Sequence, residues 1–388
     1  MTVKTEVPEQ ISEWRLLWAD PWLRALVSWV PPLLFLSIYL IFSLGLARDL
    51  SVGVVDLDQS RLSRELIRYY DASPTLAIDR HYLSPAEGIS AMRGGEIYGL
   101  VLIEKDTERD IISGHPPQVE LFYNGQYLLI GKLVKSALLQ AHATAVAKID
   151  TLKNLSASSP VIGQAMAAAV PVGNQVTPLF NSSTNYAQFL VSAIIPAIWQ
   201  ILIVMTTVLS IGLELRREGL SSWLNPHPVQ ALLHRFMPYT LIFWLHGILF
   251  LITMYVFLGW PMHGNLGFLV FSQLLTVCGC QASGALIFFL SKDPARSLGL
   301  AAAYAAPGFA FMGVTFPVTD MTLPARIWRS LLPVSHYIDI QIAQVNYGAP
   351  LSLSQHQVQN LLLFIIPALF VLVLAFITAG KGAGRVVV

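Results

Sequence analysis

The sequence predicts an α-helical polytopic membrane protein with six transmembrane helices and an inserted α/β extracytoplasmic domain. Three observations carry that class. Of 388 residues, 54% are hydrophobic and only 12% are charged, about half the charged share of a soluble domain. Several charge-free apolar stretches reach the ~20 residues that a helix needs to cross a bilayer. One long stretch instead mixes acids, bases and short apolar runs, as a water-facing domain does. The net charge of +1 gives no electrostatic case for nucleic acid. The two cysteines, Cys278 and Cys280, share one apolar run and suggest neither a disulfide framework nor a zinc site.

Residues 1–25 read as a helix lying in the membrane interface. Trp14, Trp18 and Trp22 recur every four residues with Ile11 on the same face, a spacing that stacks side chains on one side of a helix. Such a stripe serves equally as an anchor for the first span or as a docking face. Residues 26–47 are that first span. The apolar run outlasts the roughly 7–15 residues of a signal-peptide core, which favours an uncleaved helix.

Residues 48–185 form the extracytoplasmic domain and its linker. Ser51–Val55, Leu76–Ile78, Tyr98–Ile103 and Val119–Tyr123 carry strand patterns. Asp58 is placed to cap a helix with the stripe Leu62, Leu66, Ile67 and Tyr70. A second helix falls near Pro85–Met92, Asn124-Gly125 makes a turn, and a long helix runs from Tyr127 to Leu152. The charge-poor stretch from Asn154 to Thr184 reads as linker.

Residues 186–379 hold spans two to six: Tyr186–Leu213, Pro238–Leu258, Leu266–Leu290, Leu298–Gly313 and Val358–Ala379. In the fifth, Ala302, Ala306 and Ala310 repeat every four residues, which suits close helix packing, and Pro307 predicts a kink. Loop 315–340 has Phe316 beside Pro317, then Pro324 and Pro333, among apolar residues. It is too broken to span and too apolar for an open loop, so short helices dipping into the outer leaflet are expected. Residues 380–388 are a cytoplasmic tail.

Orientation follows from basic residues in short connections. With both termini in the cytoplasm, the inside segments hold Lys4, Arg15, Arg24, Arg216, Arg217, Arg235, Lys292, Arg296, Lys381 and Arg385. The short outside connections hold none between spans three and four and only Arg326 and Arg329 between spans five and six; the long segment between the first two spans escapes this rule, as large translocated domains do.

Catalytic motifs are absent from the pattern. Gly125 to Lys132 has the wrong spacing for a phosphate loop, and Leu133 stands where a hydroxyl must hold magnesium. Asp56 and Asp58 form a D-x-D pair without a third acid beside them, so no metal site is expected. His246 lies inside the third span and is a candidate functional group by virtue of that position.

Three groups of residues resemble the transmembrane subunits of ABC-2 type transporters, in the branch with a large external domain between the first two spans. The first is Val54 to Ser60 with Ser63-Arg64-Glu65-Leu66, continued by Ile97 to Glu104, Glu108-Arg109-Asp110, Gly114 and Pro117-Gln118-Val119. The second is Arg216-Arg217-Glu218-Gly219 with Leu224, Pro226 and Met237-Pro238-Tyr239, and the third is Gly313, Phe316-Pro317, Met321, Pro324, Pro333 and Tyr337.

The resemblance implies the permease subunit of an ATP-driven exporter in the bacterial inner membrane, itself not an enzyme. ATP and Mg would sit on separate cytoplasmic ABC ATPase subunits, with a second permease subunit and a possible periplasmic adaptor as further partners. It makes 214–237 the coupling loop, where Arg216, Arg217, Glu218 and Gly219, with Trp14 and Trp18, would dock the ATPase. It makes the second and fifth spans the translocation path; Gln200, Met205 and Thr206 of the second span, Ala306 and Pro307 of the fifth, and His246 of the third are the candidate path residues. The apolar character of those spans favours a hydrophobic or amphipathic, drug-like or lipid-like cargo. The rival reading is a membrane sensor or scaffold whose external domain binds a ligand or partner.

Overall fold

A computed structural model describes residues 13–45, 47–113, 115, 118–157, 162, 179–181 and 185–383. Lys4, Ile11, Gly114, Pro117, most of the expected linker from Asn154 to Thr184, and Arg385 lie outside the described residues. The chain divides into two units, residues 1–45 with 178–388 and residues 46–177.

The helical unit begins with α1 (Glu13–Ala19), α2 (Pro21–Val27) and α3 (Val30–Phe42). The expected single interfacial helix is broken at Asp20, whose extended backbone and side chain, accepting from the Trp22 and Leu23 amides, start a new helix with Pro21 at its first position. Together α2 and α3 are apolar enough to cross a membrane, with a 45° bend between them.

Four further segments are long and apolar enough to span: Tyr186–Arg217, Pro228–Phe257, Leu266–Ser291 and Leu351–Gly380. The first is a single helix, α8 (Tyr186–Arg217), capped by Asn185. After the short α9 (Leu220–Leu224) comes α10 (Pro228–Ile252), extended by a wider turn over Thr253–Phe257. Most of the expected loop 214–237 is therefore helical, because Pro228 starts a helix well before the apolar run does. Next, α11 (Leu266–Ser291) is capped by Asn265.

The expected fifth span is not continuous. α12 (Pro294–Ala305) has 12 residues and α13 (Gly308–Phe311) has four. Pro307 lacks the amide that would continue the ladder, and Gly308 follows it, so the helix ends instead of kinking. Beyond lie α14 (Leu323–Ser330), α15 (Pro333–Val345), α16 (Gln355–Leu362) and α17 (Ile365–Ala383). Loop 315–340 thus holds short helices, but α15 continues to Val345. The core joins Trp199, Ile203 and Ile211 of α8 to Phe243 of α10, Phe288 of α11 and Val371 of α17.

The second unit carries a four-stranded sheet in the order β2-β1-β3-β4, with β1 (Leu50–Asp56), β2 (Leu76–His81), β3 (Gly99–Ile103) and β4 (Val119–Tyr123). β1 pairs in parallel with β2 and β3, and β4 runs antiparallel to β3. Parallel neighbours need crossover helices. These are α4 (Arg61–Asp71) and α5 (Pro85–Arg93). Val52, Val54 and Val101 pack on one face with Leu66 and Tyr70 of α4 and Val134 and Leu138 of α7 (Leu128–Ala157). Val55, Leu100 and Leu102 pack on the other, with Ala91 of α5.

Asp58 does not cap α4. Ser60 does, accepting from the Ser63 amide, because the chain needs two more residues to leave β1. Asp58 instead accepts from the Glu108 amide at 3.2 Å, in the first turn of α6 (Thr107–Ser113). Asp56 accepts from the amides of Asp58 and Gln59 and from the Ser63 hydroxyl.

Candidate functional site

The charge-bearing end of α8 is built around residues with very different exposure. Arg216 and Glu218 are exposed, whereas Glu214 is 2% exposed and Arg235, on α10, is fully buried. A buried carboxylate is costly unless it is paired. Arg235 supplies the pair: its guanidinium lies 3.0 Å from Glu214, its Nε donates to the Ser210 carbonyl at 3.1 Å, and it also bonds Glu13 of α1. Arg217 meets Glu214 at 3.2 Å and Glu218 at 3.1 Å. One guanidinium thereby ties α1, α8 and α10 together below the exposed Arg216-Arg217-Glu218 edge.

Gly219 ends this edge with φ +80° and ψ 148°, and a Cβ there would meet nothing within 4 Å. That backbone region is essentially restricted to glycine, so conformation rather than crowding fixes the residue. The turn sends the chain into α9, whose Leu220 and Leu224 are buried in the helical core.

Trp14 and Trp18 are exposed, whereas Leu17 is buried. The α1 residue that reaches the α8 edge is Glu13, which the spacing argument did not single out. Charge patterning gives Arg235 only as one more cytoplasmic positive charge and does not single out Glu214.

The residues expected along a path are scattered. Gln200 is fully buried, and its Oε1 accepts from the Val334 amide at 3.0 Å, in the first turn of α15. Its Nε2 and the Thr206 hydroxyl are buried without partners among the described residues. Met205 is half-buried. His246 is half-buried between the rings of Phe243 and Phe250, at 5.9 and 6.4 Å, and its Nδ1 has no partner among the described residues. On α12 the packed small residues are Ser297, Ala301 and Ala305, whereas Ala306 and Ala310 are exposed.

In the loop before the last span, Phe316, Pro317 and Pro324 are exposed and Pro333 is buried at the start of α15. Arg329 pairs with Asp339 at 2.6 Å and joins α14 to α15. α15 is further fastened by Gln273 of α11, which donates to the Tyr337 hydroxyl and the Gly247 carbonyl at 3.0 Å each. Its own Gln341 donates to the Ser192 carbonyl of α8 at 2.9 Å. A Cβ on Gly247 would stand 2.8 Å from Gln273, so the bare backbone makes room for that amide.

A family model described as ABC-2 family transporter protein matches residues 21–379. No curated protein matches the chain. The match runs from the first residue of α2 into α17 and includes the α8 edge, the α12 break and the sheet-bearing unit alike. With its long apolar helices, the chain belongs to the ABC-2 transporter family and is a multi-pass membrane protein with a permease role in ABC transport, a role that implies association with an ABC ATPase component.

Proposed function

We propose that this chain is the permease subunit of an ATP-driven exporter, and that the α8 edge is where the ATPase drives it. The observation that carries the reading is the Arg235 network. Arg216, Arg217 and Glu218 are displayed on a turn held from beneath by Glu214, Arg235 and Glu13. Force applied at that turn is transmitted to α1, α8 and α10 together, because a buried ion cluster resists separation of its members.

In this reading the described termini and the α8 edge face the cytoplasm of a bacterial inner membrane, and residues 46–177 face outward. The positive residues at the α8 edge and the α11–α12 turn support that orientation. α12 and α13 supply a broken fifth span, and two permease subunits enclose the path. The buried, mostly uncharged faces of α8 and α12 favour a hydrophobic or amphipathic cargo. The unit at 46–177 is the natural site for a periplasmic adaptor.

Coupling is tested with Arg216→Ala and Glu218→Ala, whose side chains are exposed and lie outside the buried cluster. Export falls while ATP hydrolysis by the assembled complex continues, and thermal stability stays within about 0.5 kcal/mol of wild type. Normal export in both variants contradicts the placement. An assembly that retains no ATPase chain when purified would favour a sensor or scaffold instead.

A further inference from the structure

The α1–α2 segment displays three exposed indoles, Trp14 at 43%, Trp18 at 49% and Trp22 at 73%, and Trp29, 58% exposed, follows just before α3. The sequence around them looks balanced in charge, with Glu13 and Asp20 against Arg15 and Arg24. The fold gives both acids partners of their own. Glu13 is turned to Arg235, and Asp20 is spent on the Trp22 and Leu23 amides at 2.9 and 3.0 Å. Arg15 and Arg24 are exposed and have no partner among the described residues. Leu17, Leu23 and Val27 are buried in the helical core, and the indoles and the two guanidinium groups are among the exposed side chains of this segment.

Indoles settle at the boundary between headgroups and acyl chains. A guanidinium at the same depth meets phosphate, to which it can donate two parallel hydrogen bonds. Neither Glu13 nor Asp20 pairs with Arg15 or Arg24 among the described residues. We propose that the outer face of α1–α2 is a binding surface for anionic phospholipid headgroups, with Arg15 and Arg24 as the phosphate contacts and the indoles as depth anchors. This goes beyond the export reading and assigns Trp14 and Trp18 to lipid rather than to the ATPase. Lipid charge would then act on the same α1 that Glu13 ties to the coupling edge.

The test uses the full-length protein in detergent, exposed to equal phosphatidylglycerol and phosphatidylcholine, with retained lipid counted by native mass spectrometry. Wild type keeps phosphatidylglycerol in preference, and raised salt erodes the preference. Arg15→Gln and Arg24→Gln each lower it roughly five-fold, while Lys105→Gln in the second unit leaves it unchanged. A preference that survives the double variant, or is indifferent to salt, overturns the proposal. Loss of the co-purified ATPase chain in the double variant with lipid retention intact also overturns it, in favour of protein docking. Unchanged export in Arg216→Ala and Glu218→Ala would overturn the coupling reading and leave this one standing.

Discussion

Arg235 and Glu214 lie 3.0 Å apart, the first fully buried and the second 2% exposed. A buried ion pair is weak evidence of net stabilisation against an apolar pair, but removing one partner strands the other. Arg235→Ala is expected to cost about 3–5 kcal/mol. The double variant with Glu214→Ala recovers part of that loss. Thermal unfolding of the four proteins of the cycle in one detergent measures the coupling. Strictly additive losses would show that the pair does not act as a unit.

Gly219 separates conformational cost from crowding. A Cβ meets nothing there, so Gly219→Ala suffers only from its backbone angles. The expected loss is about 1–3 kcal/mol, with weakened coupling of ATP hydrolysis to export. If Gly219→Ala is as stable and as active as wild type, the turn is not held in its present form during the cycle.

Gln273 and Gly247 make a steric prediction of the opposite kind. Gly247→Ala places a methyl group 2.8 Å from the Gln273 amide. The expected cost is about 1–3 kcal/mol, because the side chain that fastens α15 must move. Gln273→Ala in the same background should relieve much of the clash while losing the Tyr337 and Gly247 hydrogen bonds. Unfolding temperatures of the single and double variants decide the matter.

In the second unit the Tyr70 hydroxyl lies 2.7 Å from His142 Nδ1, joining α4 to α7. Burial pushes the Tyr70 phenol up and the His142 imidazole down, which keeps both neutral. The histidine binds a proton more readily when unfolded. Its contribution is therefore complete above the ordinary value of 6.5 and is lost as pH falls through that value toward the lower folded one. Hydrogen exchange of α4 and α7, corrected for intrinsic rates, should accelerate between about pH 7 and 5, and His142→Gln should flatten that trend. Equal protection across the range contradicts the assignment.

Much of the architecture was readable because it follows from local pattern. Val-rich runs gave the strands of the sheet, and charge-free lengths located the spanning helices. Breaks were harder to see. Asp20-Pro21 reads as part of one helix until the Asp20 side chain is known to accept from the next two amides. Ala302, Ala306 and Ala310 were assigned to the packed face because period fixes a face without saying which one is buried. The coupling site was only half legible. Arg216 to Gly219 form a local motif, but Glu13 and Arg235 are 222 residues apart, and nothing in either neighbourhood names the other.

The central claim is that the α8 edge faces the cytoplasm while the sheet-bearing unit faces outward. A membrane-impermeant maleimide applied to intact cells tests it directly, using Lys105→Cys and Arg217→Cys in a background lacking Cys278 and Cys280. The account predicts labelling at 105 from outside and at 217 only after the cells are broken. Labelling of 217 in intact cells, with 105 protected, would contradict it.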